Sequence, residues 1–115
     1  MMTKEKLSSL RTLRREITRT KQRIANLKRQ YGERSLAVVK TCEALENYLA
    51  IAHAEEAEII GYISSIEDAQ TRELFMLRYY DCVSSWQRIA FMAGEHDESY
   101  VRRKHDAYLK KNGGL

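Results

Sequence analysis

Residues 97–111 read Asp-Glu-Ser-Tyr-Val-Arg-Arg-Lys-His-Asp-Ala-Tyr-Leu-Lys-Lys. Asp97 has the chemistry of a helix N-cap, a carboxylate able to accept a free N–H of the first turn. On the helix that follows, Val101, His105 and Tyr108 fall about one turn apart and are expected to face inward. Ser99, Arg102, Arg103 and Asp106 then share the opposite face. A guanidinium can donate two hydrogen bonds to the O6 and N7 of one guanine, so Arg102 or Arg103 is expected to read base edges in a major groove. Lys104 and Lys110 are placed for phosphate, which positions a protein on a duplex without reading sequence. The plain alternative for this face is solvation.

A helix that reads DNA needs a second one to hold it. Ser84-x-x-Gln87 has the form of a capping box. It is expected to open a short helix with Trp86, Ile89, Ala90 and Ala93 on one side, closed by Gly94. Gln87 and Arg88 at its start are expected either to touch the flanking phosphate backbone or to be plain surface. Asp68 caps an earlier helix beginning at Ala69, with an apolar stripe of Leu74, Leu77 and Met76 or Tyr80, ending near Asp81-Cys82. Helix, short turn, helix with the positive charge in the last member is the arrangement of a helix-turn-helix. Against it, Glu95, Asp97 and Glu98 crowd the start of the last helix with charge that repels phosphate.

The first half of the chain reads as a scaffold. Leu10, Leu13, Ile17, Thr20, Ile24, Leu27 and Tyr31 alternate by three and four residues, the pattern of a coiled-coil seam. Thr3 suits an N-cap and Gly32 a left-handed C-cap. A second row, Val38, Cys42, Leu45, Leu49, Ala52, Glu56, Ile59, Ile63 and Ile66, keeps the same step after a short connection at Glu33-Arg34. Residues 1–34 hold eleven Lys and Arg against three Asp and Glu, and residues 35–68 hold one against seven. The expected fold is therefore all-α: an antiparallel hairpin of residues 4–31 and 35–66, then the helix-turn-helix. The expected domains are 1–66 and 67–115. The basic face of the first helix either complements the acidic second helix and is otherwise solvated, or grips nucleic acid. Tyr48, Ile51, Ile60 and Tyr62 lie off the seam, which leads to the expectation of a homodimer.

Composition narrows the function classes. The chain has 115 residues, no proline, 31% charged residues and a formal net charge of +4. No apolar run reaches membrane-spanning length, and the charged start is unlike a signal peptide, so a cytoplasmic protein without membrane attachment is expected. Cys42 and Cys82 are isolated, as in a reduced compartment. The three histidines and two cysteines have no metal-ligand spacing, and there is neither a glycine-rich phosphate loop nor a nucleophile–base pair. Neither an enzyme nor a cofactor is expected.

The segments Leu77-Arg78-Tyr79-Tyr80, Ser85-Trp86-Gln87-Arg88-Ile89-Ala90 and Val101-Arg102-Arg103-Lys104-His105 together resemble region four of bacterial sigma factors. They are more similar to small phage-encoded sigma-like regulators of the ArpU and RinA type. The resemblance covers roughly the last 50 residues. Both turns are one residue longer than that pattern, and Lys104 stands where many such proteins carry an apolar residue. The resemblance implies transcription regulation on a phage or prophage genome, with double-stranded DNA as partner and RNA polymerase as a further one. A sigma-like interaction protein, docking on polymerase or another regulator with weak DNA affinity of its own, is the competing expectation. A small terminase-type packaging subunit is a third, although such proteins place the helix-turn-helix before their oligomerisation helices.

Overall fold

The computed structural model describes residues 2–32 and 34–112, so the Glu33 half of the expected connection lies outside the described residues. Helices α1 (Lys4–Ser8), α2 (Leu10–Tyr31), α3 (Leu36–Ser64), α4 (Ala69–Phe75), α5 (Trp86–Met92) and α6 (Glu98–Lys111) follow in order, with a π-helical turn over Met76–Tyr80 after α4. No strand occurs among the described residues, and the fold is all-α. The chain divides into two compact units, Thr12–Ala57 and Met1–Arg11 with Glu58–Leu115. The first residues of the chain and residues 58–66 belong with the C-terminal helices.

In the unit of residues 12–57, α2 and α3 run antiparallel: the Tyr48 hydroxyl donates to Glu16, and the Lys28 ammonium lies 3.6 Å from Glu46. Leu13, Ile17 and Ile24 of one helix and Cys42 and Ala52 of the other are buried, as their spacing predicts. Each fully buried Ile or Leu contributes about 1.5–3 kcal/mol. An exposed ion pair such as Lys28–Glu46 contributes roughly 0–1 kcal/mol, so apolar burial decides the pairing. Tyr31 is a correction to the seam. It is 59% exposed at the last position of α2, and Leu36 at the start of α3 is also uncovered. Gly32 follows at φ +73 and donates its N–H to the Lys28 carbonyl, closing α2 as expected.

In the other unit, the Lys6 N–H donates to the Thr3 hydroxyl at 3.1 Å, so Thr3 caps α1. The expected continuous helix from residue 4 is interrupted at Ser9. Its hydroxyl donates to the Lys6 carbonyl at 2.6 Å, a local bond that competes with the helical ladder. Leu7 and Leu10 are fully buried, as are Ile59, Ile63, Ile66, Leu74 and Phe75. Met2 and Leu7 precede the seam row and join this core nonetheless.

Gly61 sits inside α3 with ordinary helical backbone, and a Cβ there would meet nothing within 4 Å. Neither packing nor backbone geometry requires glycine at that position. Gly61→Ala is therefore expected to stabilise the protein by about 1 kcal/mol, the helix-propensity difference. Chemical denaturation of the two proteins side by side checks this; an unchanged or lower midpoint would contradict it.

Candidate nucleic-acid interface

The last three helices are assembled on one apolar cluster. Leu74 and Leu77, Ile89 and Ala90 of α5, and Val101 of α6 are buried together, with Val83, Trp86 and Ala93 packed against them. α4 starts at Asp68, whose Oδ2 accepts the Thr71 N–H at 3.0 Å and the Thr71 hydroxyl at 2.7 Å. The Lys104 ammonium reaches the same oxygen at 3.1 Å. The Thr71 hydroxyl first, then its amide and Lys104, hold the Asp68 carboxyl down to about 2.

α4 does not continue as a regular helix. The Asp81 N–H bonds the Met76 carbonyl five residues back, and Cys82 then turns at φ +59, a left-handed conformation uncommon outside glycine. The expected capping box at Ser84 gives way to Ser85, whose hydroxyl accepts the Arg88 N–H at 3.3 Å. α5 consequently begins at Trp86, and Gln87 lies too early in it to close a capping box. Gly94 at φ +77 ends α5, with the Glu95 N–H returning to the Ala90 carbonyl at 2.8 Å. Asp97 accepts the Ser99 N–H at 2.9 Å and caps α6, as its position predicts.

The inner face of α6 is the row Val101, His105 and Leu109, each fully buried, with Tyr108 half-buried beside it. Leu109 is legible as the next i+4 step but is absent from the expected row. His105 is enclosed by aromatic rings, with Phe75, Trp86 and Tyr79 at centroid distances of 4.8, 4.9 and 5.6 Å. Its Nε2 lies 2.6 Å from the Tyr79 hydroxyl and its Nδ1 2.9 Å from the Asp106 carboxylate. An ionised Asp106 can only accept, so Nδ1 carries the proton and the Tyr79 hydroxyl donates to Nε2. The neutral imidazole is thus fully satisfied. Burial lowers the His105 pKa against the opposing pull of Asp106, and burial raises that of Tyr79 to about 12.

On the outer face, Ser99, Arg102, Arg103 and Lys110 are exposed. The Arg102 guanidinium lies 3.9 Å from Glu98, a loose pair, and Arg103 Nε donates to the Ser99 carbonyl at 3.2 Å. Two expected members of the site are committed elsewhere. Lys104 is half-buried and tied to Asp68 and Gln70, since it leans off the outer face onto the start of α4. Asp106 keeps 47% of its side chain exposed but spends its carboxylate on His105. Gln87 and Arg88 are exposed on α5, and Gln87 shares a shallow groove with Ser99, Phe91 and Asp97. Sequence reasoning missed Phe91, an aromatic left 83% exposed where the pattern of α5 gives no reason for one.

No group of three or more metal-ligating side chains occurs among the described residues, and no helix among them is long and apolar enough to cross a membrane. No protein-family model, curated protein or solved structure matches the chain.

The satisfied neutral His105 gives a pH dependence with a definite sign. In the unfolded chain it titrates near 6.5; in the folded protein, lower. Its stabilising contribution is therefore complete above about pH 6.5 and lost as pH falls from there through the folded value. Urea midpoints should drop between pH 7.5 and 5, and His105→Gln should flatten that drop. An equal drop in both proteins would assign it to other groups.

Proposed function

We propose that this protein is a DNA-binding transcription regulator of phage or prophage type, and that α6 reads the DNA. The observation that carries the reading is the division of α6 into two faces. One is fixed by the buried Val101, His105 and Leu109; the other leaves Ser99, Arg102, Arg103 and Lys110 in solvent. A recognition helix needs both properties, since side chains can reach base edges only from a helix whose own orientation is set. Arg102 and Arg103 are the base-reading candidates, Lys110 a phosphate contact, and Gln87 and Arg88 backbone contacts from the preceding helix. Lys104 is left with a structural role, bridging α6 to the N-cap of α4.

A specific observation favours the second reading, an interaction protein that docks on RNA polymerase or another regulator. Phe91 is 83% exposed, Met92 is also uncovered, and Glu95, Asp97 and Glu98 follow on the neighbouring turn. An exposed aromatic beside carboxylates suits a basic protein surface better than phosphate.

Selection of sites from random DNA separates the two. With DNA as ligand, wild type enriches a motif; Arg102→Ala or Arg103→Ala costs about 1–3 kcal/mol and relaxes it, while Lys110→Ala weakens all sequences alike. If both arginine variants recover the same motif with unchanged affinity, α6 is not the reader.

We also propose a homodimer, supported by Tyr48 and Ile51, which remain uncovered on α3. Light scattering at tens of micromolar should return about twice the chain mass of 13.5 kDa. The mass of a single chain would refute it.

A further inference from the structure

α2 carries Arg11, Arg15, Arg19 and Arg23 at a constant step of four residues. At 1.5 Å per residue the guanidinium-bearing positions follow one another by about 6 Å, and the row spans about 18 Å of helix. The row winds slowly across the side of α2 away from Leu13, Ile17 and Ile24, and all four residues are exposed. Among the described residues none of the four side chains makes an ion pair or a hydrogen bond. Glu16 is the one carboxylate on α2, and it accepts the Tyr48 hydroxyl in the groove that Arg19 and Arg23 also line. A cross-helix ion pair of this unit uses Lys28 instead. The acidic helix α3 therefore leaves this row unneutralised.

Like charges four residues apart on a helix repel one another, so the row weakens the isolated helix and is relieved by a polyanion. We propose that the Arg11–Arg15–Arg19–Arg23 row is a second nucleic-acid contact, binding the phosphate backbone of a duplex without reading its sequence. One strand of a duplex carries a phosphate per about 3.4 Å of axis, so a length equal to the row holds roughly five phosphates of a strand, enough for one per arginine. The residues exposed among the arginines, Thr12, Thr18 and Gln22, are polar hydrogen-bonding side chains. Protein interfaces are held by a buried apolar centre, and this face offers none. Backbone binding to nucleic acid requires only charge and hydrogen-bond donors, which the face supplies.

The inference rests on the DNA-binding reading of the protein but not on α6 as the reader, and one salt titration distinguishes them. The full chain is compared with a variant carrying Arg11→Gln, Arg15→Gln, Arg19→Gln and Arg23→Gln, and with the Arg102→Ala/Arg103→Ala variant. Binding to a random-sequence duplex is measured from about 50 to 200 mM salt. Glutamine keeps helix propensity, and circular dichroism confirms that each variant is folded. The four-glutamine variant should lower the log–log salt slope by about 3–4, at about 0.9 for each phosphate it no longer neutralises. It should leave any selected motif unchanged. A variant with lysine at all four positions should restore most of the slope. If wild type binds the duplex and the four-glutamine variant keeps its slope, the row does not touch the backbone, whatever α6 does. If only the α6 variant leaves motif and affinity untouched, the reader assignment fails and the row stands. If wild type binds no duplex at low salt, or binds polyglutamate as tightly and loses both ligands together in the four-glutamine variant, the nucleic-acid assignment is overturned.

Discussion

The buried imidazole of His105 is the constraint on which the C-terminal helices depend. Side chains from several successive elements meet on it. Phe75 comes from the end of α4, Tyr79 from the π-helical turn, Trp86 from the first residue of α5, and Asp106 from α6 itself. A leucine of similar volume would fill the space but would strand the Tyr79 hydroxyl, whose loss of a partner costs roughly 1–3 kcal/mol when buried. Histidine is the side chain that accepts from a tyrosine on one edge and donates to a carboxylate on the other. Arg78 lies over the Trp86 ring at 4.6 Å and donates to the Ser84 carbonyl, which pins the connection leading into α5. The buried inner face of α6 sets the outward placement of Arg102 and Arg103.

Electrostatics act on α6 in two opposed ways. Asp97 and Glu98 stabilise its N-terminus by satisfying a free N–H and complementing the helix dipole. The same charges oppose a phosphate approaching that end. Lys110 and Lys111 lie in the last turn, where they also complement the dipole. What favours the helix as a helix therefore leaves its start negative and its last turn positive. The basic sequence of α2 is the largest concentration of positive charge on the chain.

Local chemistry is legible in the sequence where one residue type decides the outcome. Thr3, Asp68 and Asp97 cap helices, and Gly32 and Gly94 close them, because a side-chain oxygen or a positive φ is required there and few residues supply it. The seam is legible through its spacing, except at Tyr31, where periodicity continues but the partner helix no longer covers it. Features set by tertiary packing are not legible. The π-helical turn adds a residue that no propensity marks, and Cys82 takes a positive φ that its side chain does not favour. The exchange of Ser84 for Ser85 as the cap of α5 follows from where that turn releases the chain. A helical wheel places Lys104 and Asp106 outward and cannot register that Asp68 and His105 lie within reach. The same wheel places Ser99, Arg102, Arg103 and Lys110 outward, where they are found.

The two compact units are interleaved along the chain, and this bears on the order in which the molecule can form during synthesis. The unit that holds α6 also contains Leu7 and Leu10 from the beginning of the chain and Ile59, Ile63 and Ile66 from its middle. Residues 1–11 must therefore wait for the residues from 58 onward that share their unit. Bringing two distant segments together costs closure entropy that grows with the logarithm of the intervening length. Here the intervening segment is the α2–α3 hairpin, whose helices pair across separations such as the 32 residues between Glu16 and Tyr48. Once it has closed, its two ends are delivered together and the remaining search is short. A fragment cut at residue 67 would lack residues 1–11 and 58–66, which belong to the same compact unit as α6.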